Sequence, residues 1–210
     1  SMPQSDASAS RFIGANSSLA SVSNSIDWDY LKVSPENRDC IKKIIAKNGA
    51  RISRSGRAVV RDHGKSITRL FRELENEQYY NLSVLHLHNY GLSDKLDCDT
   101  MDRILDRLEK VTTVQALYIQ NFPNAMLDRQ LEHLTAVLKK GHIWALNIGE
   151  ASKVSKRGWT KFTKELYNTN VTHMYASENT LLTKAMVRAM RDAIRSNRKK
   201  HKRFRDMSNS

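Results

Sequence analysis

The stretch Leu82-Ser83-Val84-Leu85-His86-Leu87 determines the architecture, because its arrangement of apolar residues occurs four times in the chain. Apolar residues stand at the first, fourth and sixth positions, and the other copies begin at Val114, Ile143 and Val171. Spacings of 32, 29 and 28 residues separate the fourth-position residues, which are Leu85, Leu117, Leu146 and Met174. Repetition at this period is typical of a solenoid, whose units each bury one side against their neighbours.

Each copy is followed by a polar loop and then by apolar residues at helical spacing. The predicted strands cover 83–88, 115–120, 144–148 and 172–176. The predicted helices cover about 99–110, 128–140 and 156–167, and a long last helix begins near Thr183. Alternating strands and helices are also typical of a doubly wound α/β sheet. The constant register of the apolar residues favours the solenoid.

Two further helices are predicted before the first copy. Ser34-Pro35-Glu36 combines a capping hydroxyl with a proline at the first helical position, and the helix it starts ends near Asn48. Its apolar face consists of Ile41, Ile44 and Ile45. The second helix begins near Ser66 and has apolar residues at Ile67, Leu70, Phe71 and Leu74. We expect both helices to cap the open end of the first repeat.

These patterns divide the chain into four parts. Residues 1–25 are a Ser-rich tail that we expect to be disordered, and residues 26–81 are a helical cap with a basic segment. Residues 82–183 hold the repeats, and residues 184–210 form a basic helix and tail. The resulting fold class is α/β: a short solenoid with a parallel concave sheet, convex helices, a helical N-terminal cap and a long C-terminal helix.

The net charge of +13 is concentrated in two blocks. Residues 42–72 carry +9 and residues 184–210 carry +8, whereas residues 73–183 carry −2. Such blocks attract nucleic acid, acidic proteins or anionic lipid. The C-terminal block is compatible with a nuclear localisation signal, a phosphate-binding stripe or a solvated helix end. Its candidate nucleic-acid contacts are Arg188, Arg191, Arg195, Arg198, Lys199, Lys200, Lys202 and Arg203.

Strand geometry predicts which side chains form the concave face. Side chains alternate along a strand, so the neighbours of the inward residues point to the concave side. One predicted row is His86, Tyr118, Asn147 and Tyr175; a second is His88, Gln120, Gly149 and Ser177; a third is Val84, Ala116, Ala145 and His173. Aromatic side chains are enriched at protein interfaces. The candidate protein-binding residues are therefore His86, His88, Tyr118, Gln120, Asn147 and Tyr175.

The L-x-x-L-x-L frame and the helix in every unit resemble the ribonuclease-inhibitor-like class of leucine-rich repeats, over about residues 66–196. That class carries a loop asparagine or cysteine at the positions held here by Tyr90, Phe122, Ala151 and Asn179, of which only the last matches. Residues 146–150, 158–159 and 171–175 are also similar to the C-terminal ends of repeat proteins from microbial eukaryotes. In those proteins the repeats often close a larger multidomain chain. The resemblance implies a binding surface and transfers no activity.

Known catalytic motifs are missing from the sequence, which contains no G-x-G-x-x-G, G-x-S-x-G or H-E-x-x-H. Gly64-Lys65-Ser66 resembles a P-loop ending, but Val59 replaces the required first glycine. His86 and His88 share a strand face without a third metal ligand in their row. We therefore expect no enzyme activity, no metal, no cofactor and no small-molecule substrate.

Location and partner are predicted from cysteine content, hydropathy and charge. Cys40 and Cys98 have no pairing pattern, and the chain shows neither a secretion leader nor an apolar run of membrane-spanning length. These features favour an intracellular protein, and the basic C-terminal run is compatible with the nucleus. We predict a non-enzymatic protein-interaction module. The alternative is a nucleic-acid or chromatin-associated domain that binds phosphates through its basic flanks.

Overall fold

The computed structural model of the protein describes residues 66–80, 82–90, 96–176 and 179–200, with Pro35 and Leu92. Pro35 is helical, at the position where the sequence predicts the start of the first helix. The Ser-rich tail, the remainder of that helix and the basic segment before Ser66 lie outside the described residues. The predicted site residues Ser177, Lys202 and Arg203 also lie outside them.

Five helices alternate with four short strands in the described part of the chain. The helices are α1 (Ile67–Glu75), α2 (Cys98–Leu108), α3 (Asp128–Lys139), α4 (Lys156–Glu165) and α5 (Lys184–Lys200). The strands are β1 (Val84–His86), β2 (Ala116–Tyr118), β3 (Ala145–Asn147) and β4 (His173–Tyr175). Turns of 3-10 helix follow β1 at Leu87–Tyr90 and α4 at Leu166–Asn168. Every strand is two or three residues shorter than predicted.

Helix starts follow local capping chemistry. Ser66, Asp97 and Ser155 precede α1, α2 and α4, and the side chain of each accepts a hydrogen bond from a backbone N–H three residues later. Asp97 Oδ1 accepts a hydrogen bond from Thr100 N at 2.8 Å. None of the described helices combines the length and apolarity required to span a bilayer.

The four strands form an open parallel sheet in the chain order β1-β2-β3-β4. The sequence prediction of a mixed α/β fold with a parallel sheet is confirmed. Neighbouring strands pair in the register predicted from the four apolar copies, which aligns Leu85, Leu117, Leu146 and Met174. Parallel strands need a long crossover connection, and α2, α3 and α4 provide the three that join the four strands.

One face of this sheet and the apolar sides of the helices make the core. Leu85, Leu117, Leu146 and Met174 belong to a single buried cluster to which all five helices contribute. Because every helix contributes to that cluster, α1–α5 form a layer on one side of the sheet, where consecutive helices pack against each other. Of the predicted cap helices, α1 packs against α2 as expected.

A polar contact joins the start of α3 to the start of α4. Asp128 Oδ1 accepts a hydrogen bond from Ser155 N at 2.7 Å, and its other oxygen accepts from Ser155 Oγ at 2.5 Å. Gly158 permits this approach, since a Cβ added there would lie 2.4 Å from Asp128 Oδ1. The same aspartate therefore joins two consecutive strand–helix units.

Asn179 joins the last two units from the loop after β4. Its Oδ1 accepts a hydrogen bond from Ala151 N at 2.7 Å, and its Nδ2 donates to Ile148 O at 3.0 Å and to Ala176 O at 3.2 Å. The side chain is 1% exposed, so these backbone groups are paired away from water. At the equivalent loop positions, Tyr90 and Phe122 fill the space with buried rings instead.

Replacing Asn179 by Ala should lower the free energy of unfolding by about 3 kcal/mol, because it leaves buried backbone groups without partners. Asn168→Ala provides the matched control, since Asn168 makes an exposed hydrogen bond with Glu165 and should matter little. Urea unfolding followed by circular dichroism measures both variants. Equal stability of the two variants would contradict the bridging role of Asn179.

Candidate binding site on the far face of the sheet

The sheet face that points away from α1–α5 is called the far face here. Of the three rows predicted for the concave side, the structure confirms the pairing of the first and the third, and the second row lies beyond the ends of the strands. His86 pairs with Tyr118, Tyr118 with Asn147, and Asn147 with Tyr175. The third row, Val84, Ala116, Ala145 and His173, is aligned in the same way.

The far face is more buried than an open, solvated concave surface would be. Tyr118 is 2% exposed, Tyr175 is 9% exposed, and Asn147 and Gln120 are fully buried. His86 and His88 are partly buried. The buried apolar residues on this side are separate from the core cluster: they are Ala116, Tyr118, Trp144, Ala145 and Tyr175. Both faces of the sheet are therefore shielded from water.

Aromatic rings stack from the far face of the first two strands into the loops that follow them, where Phe122 belongs to the core cluster. The His86 and Tyr118 rings lie 4.0 Å apart between centroids, with an interplanar angle of 10°. His88 stacks on Phe122 at 4.5 Å and meets the edge of Tyr118 at 5.8 Å. His88 Nε2 also lies 2.6 Å from Gln120 O. The rings of His86, His88, Tyr118 and Phe122 therefore form one stacked cluster.

A chain of hydrogen bonds continues from this cluster to the loop after β3. The Tyr118 hydroxyl donates to Gln120 Oε1 at 3.1 Å, and Gln120 Nε2 donates to Glu150 Oε1 at 2.8 Å. Glu150 has a φ of 56°, and Asn121, at the equivalent loop position, has a φ of 64°. Both non-glycine residues hold the left-handed conformation, which costs energy and positions the loop rim.

Trp144 is a central residue of the far face that the sequence rows omitted. It is fully buried, its Nε1 donates to Gln115 Oε1 at 2.9 Å, and its ring meets the edge of His173 at 5.6 Å. Strict alternation from Leu146 assigned Ala145 and Asn147 to this side and left Trp144 out. The L-x-x-L spacing could have revealed Trp144. It leaves two residues, Trp144 and Ala145, between the core residues Ile143 and Leu146, and both can face away from the core.

Two buried nitrogen atoms on the far face have no hydrogen-bond partner within the described part of the chain. They are His86 Nδ1 and Asn147 Nδ2. Asn147 Oδ1, by contrast, accepts from Gly149 N at 3.1 Å. An unpaired buried amide N–H costs about 1–3 kcal/mol, so a group that supplies an acceptor to Asn147 would be favoured.

The far face is electrically neutral. Its rows hold no lysine, arginine, aspartate or glutamate. Burial, followed by the charge of His88, lowers the pKa of His86 to about 4. Burial also lowers the pKa of His173 well below its usual range, with the Arg198 guanidinium adding to the effect. Both imidazoles are therefore neutral near pH 7 and provide hydrogen-bonding and stacking surfaces.

The described residues offer little for metal chemistry. Within the described ranges, no three or more His, Cys, Asp and Glu side chains come together as a metal site. The structure describes Cys98 as a free thiol, and its Sγ donates to Asn124 O at 3.3 Å.

The predicted nucleic-acid contacts within the described residues lie on α5, whose apolar side joins the core on the other side of the sheet from the far face. Arg188, Arg191 and Arg195 are exposed. Arg198 Nε donates to Thr172 O at 2.7 Å, and Lys200 Nζ donates to Tyr167 O at 3.2 Å. The exposed arginines of α5 are thus separate from the stacked rings of His86 and Tyr118, whereas Arg198 lies near enough to His173 to lower its pKa.

Comparison with known proteins adds no family to this description. A scan of protein-family models finds no match to the chain, and a search of curated proteins finds no significantly similar sequence.

Lowering the pH from about 6.5 to about 4 should destabilise the protein through His86. Its folded pKa of about 4 lies below the unfolded value of 6.5, so the unfolded chain binds the proton more readily across this window. Stability present above pH 6.5 is therefore lost as the pH falls, by up to about 3 kcal/mol. Urea unfolding of the wild type and of His86→Phe at several pH values isolates this contribution. Parallel pH curves for the two proteins would contradict it.

Proposed function

We propose that the chain is a short leucine-rich-repeat solenoid of the ribonuclease-inhibitor-like class that acts as a non-enzymatic protein-interaction module. Its binding surface is the far face of the sheet, which corresponds to the concave face of such a solenoid. Support for the repeat class comes from the in-register apolar copies and from Asn179, whose side chain pairs the backbone of two consecutive loops. Scaffolding, rather than catalysis, is the resulting role.

The observation that carries this proposal is a buried, neutral, aromatic face on which His86 Nδ1 and Asn147 Nδ2 have no hydrogen-bond partner among the described residues. Stacked rings at His86 and Tyr118, with Trp144 beside them, provide the rigid apolar anchors typical of protein interfaces. Asn147 Nδ2 needs an acceptor, which a polypeptide backbone carbonyl supplies. Nucleic acid fits this face poorly, because phosphates require the cationic side chains that its rows lack.

Binding should weaken at least about tenfold when Tyr118 and Tyr175 are both replaced by Ala, since aromatic anchors carry much of the energy of an interface. Peptides selected on the immobilised protein from a random displayed library serve as probes, and fluorescence anisotropy measures their affinity. The double variant Tyr79→Ala/Tyr167→Ala is the matched control, because both tyrosines are exposed, by 84% and 39%.

Circular dichroism melts of each variant verify that the protein remains folded at the assay temperature. If the Tyr118→Ala double variant does not fold, Tyr175→Ala alone provides the milder test. Unchanged affinity in a folded variant, or an equal loss in the control, would refute binding at the far face.

A second candidate function is phosphate binding by α5. The exposed guanidinium groups of Arg188, Arg191 and Arg195 favour it, and the helix ends in Arg198, Lys199 and Lys200. Such contacts give salt-sensitive affinity that does not depend on nucleotide sequence. This role is compatible with a nuclear or chromatin-associated protein, and it leaves the far face available.

Anisotropy with a labelled DNA duplex and an RNA strand, at low and at physiological salt, tests this candidate. The triple variant Arg188→Gln/Arg191→Gln/Arg195→Gln should bind less tightly and show a shallower salt dependence. The matched control replaces Lys153, Lys156 and Arg157 by Gln, which removes the same three positive charges from exposed side chains elsewhere. No binding at physiological salt, or equal losses in both variants, would eliminate phosphate binding by α5.

A further inference from the structure

An open groove lies between α1 and α2, on the side of the helix layer that faces solvent. Its volume is about 920 Å³, near the upper end of the range of about 300–1,000 Å³ typical of ligand pockets. Its apolar lining is Ile67 and Phe71, which are partly buried and pack against the core cluster. The groove therefore offers apolar surface that solvent can reach, next to the polar side chains of both helices.

The other helix pairs are joined more completely on their outer sides. The ion pairs that join α2 to α3 and α3 to α4 are Arg129–Asp102, Lys139–Glu165 and Lys161–Glu132. Among the described residues, one ion pair joins α1 to α2, between Arg107 Nη2 and Glu75 Oε1 at 3.0 Å. Because it lies near the C-terminal ends of both helices, the groove stays open toward their N-terminal ends.

Two of the three carboxylates that line the groove already face a cation or a donor. Glu75 pairs with Arg107, and Asp106 Oδ1 lies 3.4 Å from His133 Nε2 on α3. The carboxylate of Asp106 is thus directed toward the neighbouring helix. Glu109, which is partly buried, is the third carboxylate of the lining.

Cationic side chains predominate in the rest of the lining. Arg72 and Lys110 make no ion pair with any described residue, and both are exposed. The Arg103 guanidinium carbon lies 4.6 Å from the centroid of the Phe71 ring. A guanidinium that stacks on a ring keeps its N–H groups available for a carboxylate. Three cations against Glu109 favour a negatively charged ligand.

An acidic peptide suits this mixture better than nucleic acid does. The groove carboxylates repel a continuous phosphate backbone, whereas a peptide can place its few carboxylates beside the cations and its apolar side chains on Ile67 and Phe71. The groove follows α1 from Ile67 to Glu75, which is about 12 Å at 1.5 Å per residue. That length matches about two turns of a bound helix.

We propose that the groove between α1 and α2 is a docking site for a short amphipathic helix of a partner protein. One face of that helix carries both acidic and apolar side chains. The apolar side chains pack on Ile67 and Phe71, and the carboxylates pair with Arg72, Arg103 and Lys110. Binding of an amphipathic helix in a groove is a common mode of peptide recognition. The site is independent of the far face and of α5, so its failure leaves both proposed functions unaffected.

Anisotropy of a labelled helical peptide, with glutamates and leucines on one face, tests the proposal on the full chain at physiological salt. Arg72→Gln/Lys110→Gln should weaken binding at least about fivefold, because it removes two ion pairs with the peptide. The matched control Arg157→Gln/Lys140→Gln removes the same two charges from exposed side chains away from the groove and should bind like the wild type.

A second variant fills the groove without changing the charge. Thr68 is exposed and lines the groove, so Thr68→Trp should weaken binding by a similar factor. The matched control is Thr160→Trp on the outer side of α4. Circular dichroism melts verify folding. Where a variant does not fold, NMR of the ¹⁵N-labelled wild type decides: peptide-induced shifts at Phe71 and at Arg103 Nε support the groove, and shifts confined to α5 overturn it.

Four other results would overturn the proposal. They are no binding at physiological salt, equal losses in the two charge variants, unchanged affinity in folded Thr68→Trp, and equally tight binding of a peptide with glutamine in place of glutamate. An RNA strand that displaces the peptide, and loses affinity in Arg72→Gln/Lys110→Gln but not in its control, would assign the groove to phosphates instead of a peptide.

Discussion

The alignment of one apolar residue per strand is the constraint on which the rest of the structure depends. Leu85, Leu117, Leu146 and Met174 stand side by side across the parallel sheet and face the helix layer. A shift by one residue in any strand would move its core side chains to the other face. The register also determines which residues face away from the helices, so core packing and the candidate site follow from the same pairing.

Polar side chains at the loops maintain this register between consecutive units. Asp128 joins the starts of α3 and α4, and Asn179 joins the loops after β3 and β4. Such contacts are directional, unlike apolar packing, and therefore oppose the sliding of one unit past the next. At the first unit, different polar contacts join the loop after β1 to α1. The Tyr90 hydroxyl donates to the Glu73 carboxylate, and Arg69 pairs with the same carboxylate at 2.8 Å.

Much of the fold could be predicted because its signal is repetitive and local. The apolar copies predicted the order of the elements and the strand register, and α2–α5 begin within about one residue of their predicted positions. The site was less predictable. Alternation found the row that contains Tyr118 and Asn147 but missed Trp144, and no local pattern indicates how deeply a sheet face is buried. Burial depends on distant parts of the chain, which neither strand period nor helix period encodes.

The positive charge of the chain is concentrated outside the neutral far face. The exposed arginines of α5 lie across the core from the stacked rings of His86 and Tyr118, so under the proposed functions the two surfaces would engage different molecules. Electrostatic attraction by exposed arginines accelerates encounter without selecting a sequence, whereas shape and hydrogen bonding at a rigid aromatic face select a partner. If both proposed functions hold, the distribution of charge in this chain assigns partner selection to the sheet and general attraction to the last helix.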